Sequence, residues 1–277
     1  MSLNLNDNSY FGEYLTGLFE GDGHIWIPKK ITKKRHNPRF CITFHAKDLK
    51  LAEFIKLKIG FGFIRNKVRE NAIVYTVSNV EGLLIILQFL NNKMRTPKII
   101  QMNNLITWLN INKNYNLKQQ YVCTTDFKLS AWLSGFTEAA GCFYIRLSSL
   151  KNKSRIAFRF SIDQRLVDPV SNESYEFIML KISELFQSKL RIFQNKLNKK
   201  YFRLDISNKS SLNLVFDYFD KFPLYGIKSL NYISWKDAFL IYHDKNNSSD
   251  FKIEKIKNIK LSMNNLRNDF FLKHFLV

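Results

Sequence analysis

An α+β fold built from two copies of one unit, each running αββαββα, is predicted by three features of the 277-residue sequence. Residues 14–23 (YLTGLFEGDG) and 132–141 (WLSGFTEAAG) share a pattern at an offset of 118: aromatic, Leu, small hydroxyl, Gly and an apolar residue, then Glu, a small residue, a variable position and Gly. The same succession of alternating and 3.6-periodic segments follows each copy. A stretch rich in Asn, Lys and Gln with little apolar periodicity separates them. These boundaries give a first repeat at 1–112, a linker at 113–125 and a second repeat with a C-terminal helix at 126–277.

Taken in order, the first helix runs into the alternating segment Ile25-Trp26-Ile27, and Arg39 to His45 (RFCITFH) reads as a second strand. Helical periodicity follows over Leu49 to Ile59. Gly62 to Arg69 and Val74 to Ser78 then read as strands, and Val80 to Leu90 as a helix. Arg95-Thr96-Pro97-Lys98 leads into a helix-like run containing Trp108.

The second copy answers with Phe143-Tyr144-Ile145, Ala157 to Ile162 (AFRFSI), a helix over Ser174 to Gln187, strands at Lys189 to Lys196 and Tyr201 to Ser207, and a helix over Ser210 to Phe219. Residues 224–228 (LYGIK) precede the run containing Trp235, and Ile253 to Phe270 reads as a terminal helix packed on the second half. Four alternating strands per unit imply an antiparallel sheet with helices on one face and the other face open to solvent or ligand.

Charge narrows what that open face can meet. Lys+Arg total 43 against Asp+Glu 23, a net +20, and the excess is even: 18 basic to 8 acidic in residues 1–120, and 25 to 15 in residues 121–277. With 45% hydrophobic and 15% aromatic residues this is a cationic surface on folded cores, suited to a polyanion and unsuited to a cationic substrate. Lys29, Arg35, Arg39, Arg65, Lys67, Arg69, Arg146, Arg155, Arg159, Lys189, Arg191, Lys196 and Arg203 lie in or beside the strands. They are the candidate nucleic-acid contacts, with Gln, Asn and Ser nearby for base edges. Cys41, Cys123 and Cys142, odd in number and without a CxxC pair, support neither a disulfide framework nor a structural zinc site. The start of the chain lacks a signal-peptide pattern and no 18-residue uncharged run occurs, so secretion and membrane association are not expected.

In each signature helix two small residues stand four apart, Gly17 with Gly21 and Gly135 with Ala139, and so share a face. Gly is costly in a helix, and close packing of the two helices with their C-terminal ends together is the natural compensation. Asp22, at the end of the first helix, can hold a divalent cation of the kind that activates water against a phosphodiester. Its counterpart is Ala140.

Residues 15–23 (LTGLFEGDG) and 133–141 (LSGFTEAAG) resemble the two signature helices of the LAGLIDADG homing endonuclease and maturase family, in its single-chain, two-repeat form. The resemblance covers roughly residues 11 to 265. It implies signature helices packed at a pseudo-two-fold and two saddle-shaped antiparallel sheets laid in successive major grooves of double-stranded DNA, a target of about 20 base pairs read by one chain as a monomer. It implies cleavage of both strands with Mg²⁺, or with Ca²⁺ or Mn²⁺ in the same sites, held by the acid at the eighth signature position. On this resemblance Asp22 is the catalytic acid and metal ligand, with the Gly21 and Ala139 positions as further metal ligands. Lys98 and Lys228 match the basic residue that polarises water or stabilises the phosphorane, Gln164 the polar solvent-network residue, and Glu20 and Glu138 a position that supports the helix interface. Read without the resemblance, the two lysines are groove cations or plain surface lysines.

Ala140 departs from the pattern: a methyl group neither coordinates nor neutralises a cation, so cleavage by this chain is expected to be abolished or very slow. The departure fits an endonuclease whose acid has been replaced. The alternative is a maturase that binds group I intron RNA and has lost DNA cleavage. Asn and Lys supply 59 residues, a composition that points to an AT-rich coding genome and suits a mitochondrial intron reading frame.

Overall fold

The computed structural model describes residues 7–28, 36–150, 153–246 and 248–267. The first repeat contains α1 (Asn8–Asp22), β1 (Gly23–Trp26), β2 (Arg39–His45), α2 (Leu49–Ile59), β3 (Phe63–Lys67), β4 (Ala72–Val77), α3 (Val80–Leu90) and α4 (Ile99–Lys113). The second contains α5 (Trp132–Ala140), β5 (Gly141–Leu150), β6 (Lys153–Arg165), α6 (Glu176–Leu185), β7 (Leu190–Gln194), β8 (Lys200–Ile206), α7 (Lys209–Lys221), α8 (Ile227–His243) and α9 (Ser249–Leu261). The four strands of each repeat form an antiparallel sheet with matching order, β1-β2-β4-β3 and β5-β6-β8-β7. The registers correspond as well, Gly23 facing Ile42 and Gly141 facing Ile162.

Alternation along the strands sorts the two faces. Ile25, Phe40, Ile42, Phe44, Tyr75 and Val77 turn inward onto the helices, as do Phe143, Ile145, Phe158, Phe160 and Ile162 in the second sheet. One hydrophobic core runs through both halves. At its centre α1 and α5 pack face to face, and glycine is what permits their approach. A β-carbon on Gly17 would lie 1.8 Å from the Trp132 carbonyl oxygen, and one on Gly135 would lie 1.8 Å from that of Tyr14. The equality of the two distances is the pseudo-two-fold written in backbone atoms. Further along, a β-carbon on Gly21 would stand 2.1 Å from that of Ala139, so the two helices end side by side.

Each repeat also anchors the other. Just after β2, Asp48 accepts a hydrogen bond from the Ile227 amide at the start of α8 (2.6 Å). At the corresponding place after β6, Asp168 accepts one from the Gln101 amide in α4 (3.2 Å), and the same Gln101 side chain accepts from the Ile25 amide of β1 (3.0 Å). Buried polar groups need such partners.

One sequence expectation is corrected. The helix placed over Ile253 to Phe270 ends at Leu261, because Met263 is buried and Asn264 bonds the Asn231 side chain and the Phe143 carbonyl, pulling the chain into a short 3₁₀ turn at Asn264–Leu266; residues 268–270 lie outside the described residues. Residues 114–126 carry no helix or strand, yet they are tied down: the Asn110 side chain pairs with both backbone groups of Leu117, and Asn103 does the same for Gln120. Side-chain amides here substitute for a strand partner. No helix among the described residues is long and apolar enough to cross a membrane.

Candidate nucleic-acid interface and catalytic centre

Helix-facing residues alternate with a second set that points away from the core. In the first sheet His24, Trp26, Arg39, Cys41, Thr43, Phe63, Arg65, Lys67, Val74 and Thr76 line a shallow groove of about 330 Å³ across the open face. Arg39 lies over the Trp26 ring, 5.2 Å from its centroid. In the second sheet Arg146, Arg155 and Arg191 are exposed on the open face, and Lys189 and Lys196 flank β7. Such aromatic and cationic groups on two parallel-built sheets suit a polyanion.

Some of the candidate contacts are placed otherwise. Arg203 is held in a two-point pair by Asp163 (Nε to Oδ1 2.6 Å) and lies 3.7 Å from the Phe193 ring centroid, and Arg159 pairs with Asp205 at 3.4 Å. These two arginines are preorganised by acids and are not free cations. Lys67 is paired with Glu70 at 3.1 Å, and Arg69 sits in the 3₁₀ turn between β3 and β4 instead of on a strand. Lys29 and Arg35 lie outside the described residues.

The helix ends form the second part of the site. Lys98 is buried, and its ammonium donates to the carbonyls of Phe19 (3.2 Å), Gly21 (3.0 Å) and Gly23 (2.7 Å). Lys228 does the same on the other helix, donating to the carbonyls of Glu138 and Ala139 (3.0 Å to the latter). Neither is a plain surface lysine: each caps the carbonyl end of its own signature helix, where the helix dipole is negative. The expected metal-ligand carbonyls of Gly21 and Ala139 therefore already accept an ammonium hydrogen bond each.

Glu20 and Glu138 hold these lysines in place. Glu20, fully buried, accepts from the amides of Arg95 (2.9 Å) and Thr96 (2.6 Å), the Thr96 hydroxyl (2.6 Å) and the Trp132 indole of the other repeat (2.5 Å). Glu138 accepts from the amides of Tyr225 and Gly226, both 2.7 Å. Each carboxylate thus fixes the turn that carries the lysine, and Glu20 also joins the two repeats through the Trp132 indole. Burial raises the Glu20 carboxyl above its ordinary range against those donors. Burial and the neighbouring Asp48 push Glu138 up to about 7, while Lys228 opposes the rise. Replacing Glu20 by Ala would leave four buried donors unpaired, and we expect a loss of about 3 kcal/mol in urea unfolding.

Asp22 is open to solvent between the two lysines. The surrounding protein raises its carboxyl, and Lys228, Lys98 and Arg165 draw it back down. Burial lowers the Lys98 ammonium to about 8 from 10.5, with Asp22 and Glu20 opposing. Between those values the unfolded chain holds a proton that the folded chain has released, so stability due to Lys98 rises with pH across the window and its burial cost is fully present below pH 8. Measured against Lys98→Met, the parent should therefore gain about 1 kcal/mol of unfolding free energy between pH 7 and pH 9.

Ala140 sits at the position equivalent to Asp22 with no side-chain oxygen to offer. The residues present fit a divalent cation on one side only: the Asp22 carboxylate and the carbonyls at Gly21 and Ala139 are hard oxygen donors, and no group of three His, Cys, Asp or Glu that could form a cage exists among the described residues. That set suits Mg²⁺, which commonly takes one or two carboxylates and completes its shell with water and substrate phosphates. Gln164 is turned inward by the pleat and accepts a hydrogen bond from the Arg165 amide (3.1 Å), so it does not face solvent directly. The residue that does face outward at this end of β6 is Arg165, which the motif reading did not single out. Aligning the repeats through Ile42 and Ile162 places His45 as its counterpart, and that alignment is the sequence signal that could have found both.

Two basic sheets thus flank paired helix ends that carry an acid and two lysines. The family model for the LAGLIDADG endonuclease matches residues 15–124 and 133–239, and the chain belongs to this family. The intron-encoded DNA endonuclease aI3 of Saccharomyces cerevisiae is 28% identical over 95% of this chain and 72% of its own length. The cox1 intron-2 37.2 kDa protein of Schizosaccharomyces pombe, described as uncharacterized, is 27% identical over 91% of this chain and 72% of its own. The intron-encoded RNA maturase bI4 of S. cerevisiae is 29% identical over 78% of this chain and 30% of its own. Among solved structures, the LAGLIDADG homing endonuclease I-LtrWI bound to target DNA superimposes with a TM-score of 0.72 at 21% identity, covering 94% of this chain and all of that one, a likeness of fold.

Proposed function

We propose that the protein is an intron-encoded, sequence-specific binder of double-stranded DNA that acts as a monomer in the mitochondrion, with Mg²⁺-dependent phosphodiester cleavage disabled or made very slow by Ala140. The observation that carries this is the meeting of Asp22, Lys98 and Lys228 at the paired ends of α1 and α5, between two sheets that both present arginines outward. The names of the relatives supply the intron context, and the DNA in the I-LtrWI structure supplies the partner.

In this reading the sheet arginines and polar groups set the register on the duplex, the two lysines place positive charge beneath the central phosphates while they donate to the helix-end carbonyls, and Asp22 offers its carboxylate to one strand. A bound divalent cation would supply charge neutralisation and an activated water, held by Asp22 and the Gly21 and Ala139 carbonyls. The second repeat holds Lys228 in position but contributes no acid.

Selection from a pool of randomised duplexes should enrich one asymmetric site, and light scattering should give one chain per duplex. Neutralising Arg155 and Arg191 together should weaken binding and reduce the slope of log affinity against log salt by about 2. Unchanged affinity and slope would overturn the assignment of the binding face. The loss of the second acid favours a second reading, a maturase that binds group I intron RNA. Selective binding of intron RNA at the same salt, with no duplex enriched, would establish it in place of the first.

A further inference from the structure

The groups around the two helix ends differ in one more respect than the missing acid. β6 runs back toward α5, passes Ile162, which faces Gly141 at the start of β5, and continues for three residues to Arg165. Period-two alternation puts Asp163 and Arg165 on the open face of the sheet, and the Arg165 charge reaches Asp22 and Lys98 at the helix ends. Three residues later Asp168 is fastened to Gln101 of the first repeat, one turn of α4 beyond Lys98. The inner end of the second sheet is thereby held over the first repeat's half of the centre.

Arg165 is exposed, and its guanidinium makes no hydrogen bond or ion pair with any described residue, whereas Arg159 and Arg203 on the same face are both paired. Its charge is nevertheless felt by Asp22, Lys98 and Tyr175. The exposed Arg165 guanidinium and the buried Lys98 ammonium repel each other, and a phosphate oxygen between them reduces that cost. In the other half the same strand position is His45. It lines the roughly 580 Å³ cavity that also contains Asp22, Ala139 and Lys228, and its ring nitrogen accepts from the Lys47 amide. An imidazole committed through one ring nitrogen to a backbone amide is a poor substitute for an unpaired guanidinium.

We propose that Arg165 binds a central phosphate of the duplex across the repeat boundary, on the strand served by Asp22 and Lys98, and that His45 leaves the equivalent phosphate of the other strand without a matching contact. The inference rests on the DNA-binding reading above and adds a difference in grip between the two strands at the centre of the site.

The test uses the full chain, without divalent cations, and the duplex enriched by selection, together with versions carrying one neutral methylphosphonate at each central position of either strand. Arg165→Ala should melt with the parent and bind the unmodified duplex about tenfold more weakly. One methylphosphonate, on one strand only, should cost the parent the same factor and cost Arg165→Ala nothing further. Arg165→Lys should restore part of the affinity, and His45→Arg should create a new sensitivity at the symmetry-related phosphate of the other strand. If every methylphosphonate weakens the parent and Arg165→Ala equally, the contact does not exist, although the DNA-binding reading stands. If the parent enriches no duplex, that reading fails and this inference fails with it.

Discussion

Gly135→Ala should cost the protein at least about 4 kcal/mol of stability, a large share of the ~5–15 kcal/mol folding free energy of an ordinary domain. Overpacking in a core usually costs about 1 to 3 kcal/mol because side chains can shift away from the intruding methyl. Here the added carbon would stand 1.8 Å from the Tyr14 carbonyl oxygen and 2.8 Å from the Leu18 nitrogen, all backbone, so the helices themselves must separate. Separation would also strain the Trp132 indole bond to Glu20, and with it the turn that carries Lys98. Gly60→Ala is the control. Gly60 caps α2 with φ +77° and has nothing within 4 Å of an added β-carbon, so only conformational strain of about 1 kcal/mol is expected. Urea unfolding of the two variants reads the difference, and similar midpoints would mean that α1 and α5 do not meet at Gly17 and Gly135.

Ala140→Glu should raise Mg²⁺-dependent cleavage of the selected duplex by about 10²-fold or more, equivalent to roughly 2.7 kcal/mol of transition-state stabilisation. The support for such an acid is already present: Lys228 is anchored at the end of α5, Glu138 holds its turn through two amides, and Asp22 faces the same space from α1. Ala140→Gln matches the size without the charge and should remain as slow as the parent. Calcium binding by calorimetry in the absence of DNA gives an independent reading, with Ala140→Glu binding more tightly than either. A charged variant that holds its duplex tightly and still does not cut would favour the maturase reading.

The signature helices and the succession of strands in each half were legible because each rests on local chemistry: a small-residue face and a period of two. α2 and α3 fall where their apolar spacing puts them. What could not be read from local pattern were the long-range choices. Whether Arg203 meets solvent or Asp163 depends on which residues β6 and β8 bring opposite each other, and the register pairs those two directly. The burial of Lys98 likewise depends on carbonyls 75 to 79 residues away. Arg165 was overlooked because it follows the motif-matched Gln164, and only the pleat reveals that the neighbour, and not the glutamine, turns outward.

The tether along α4 has a consequence for inheritance. Asn103 and Asn110 hold residues 117–120 against that helix, so both signature helices come from one polypeptide and meet in cis. An assembly of two identical subunits would receive every substitution twice, and a change that removed one acid would remove both. In this chain a change at position 140 leaves Asp22 in place, and one at His45 leaves Arg165. Each half can therefore drift under its own selection, and each of these two differences lies at a single codon.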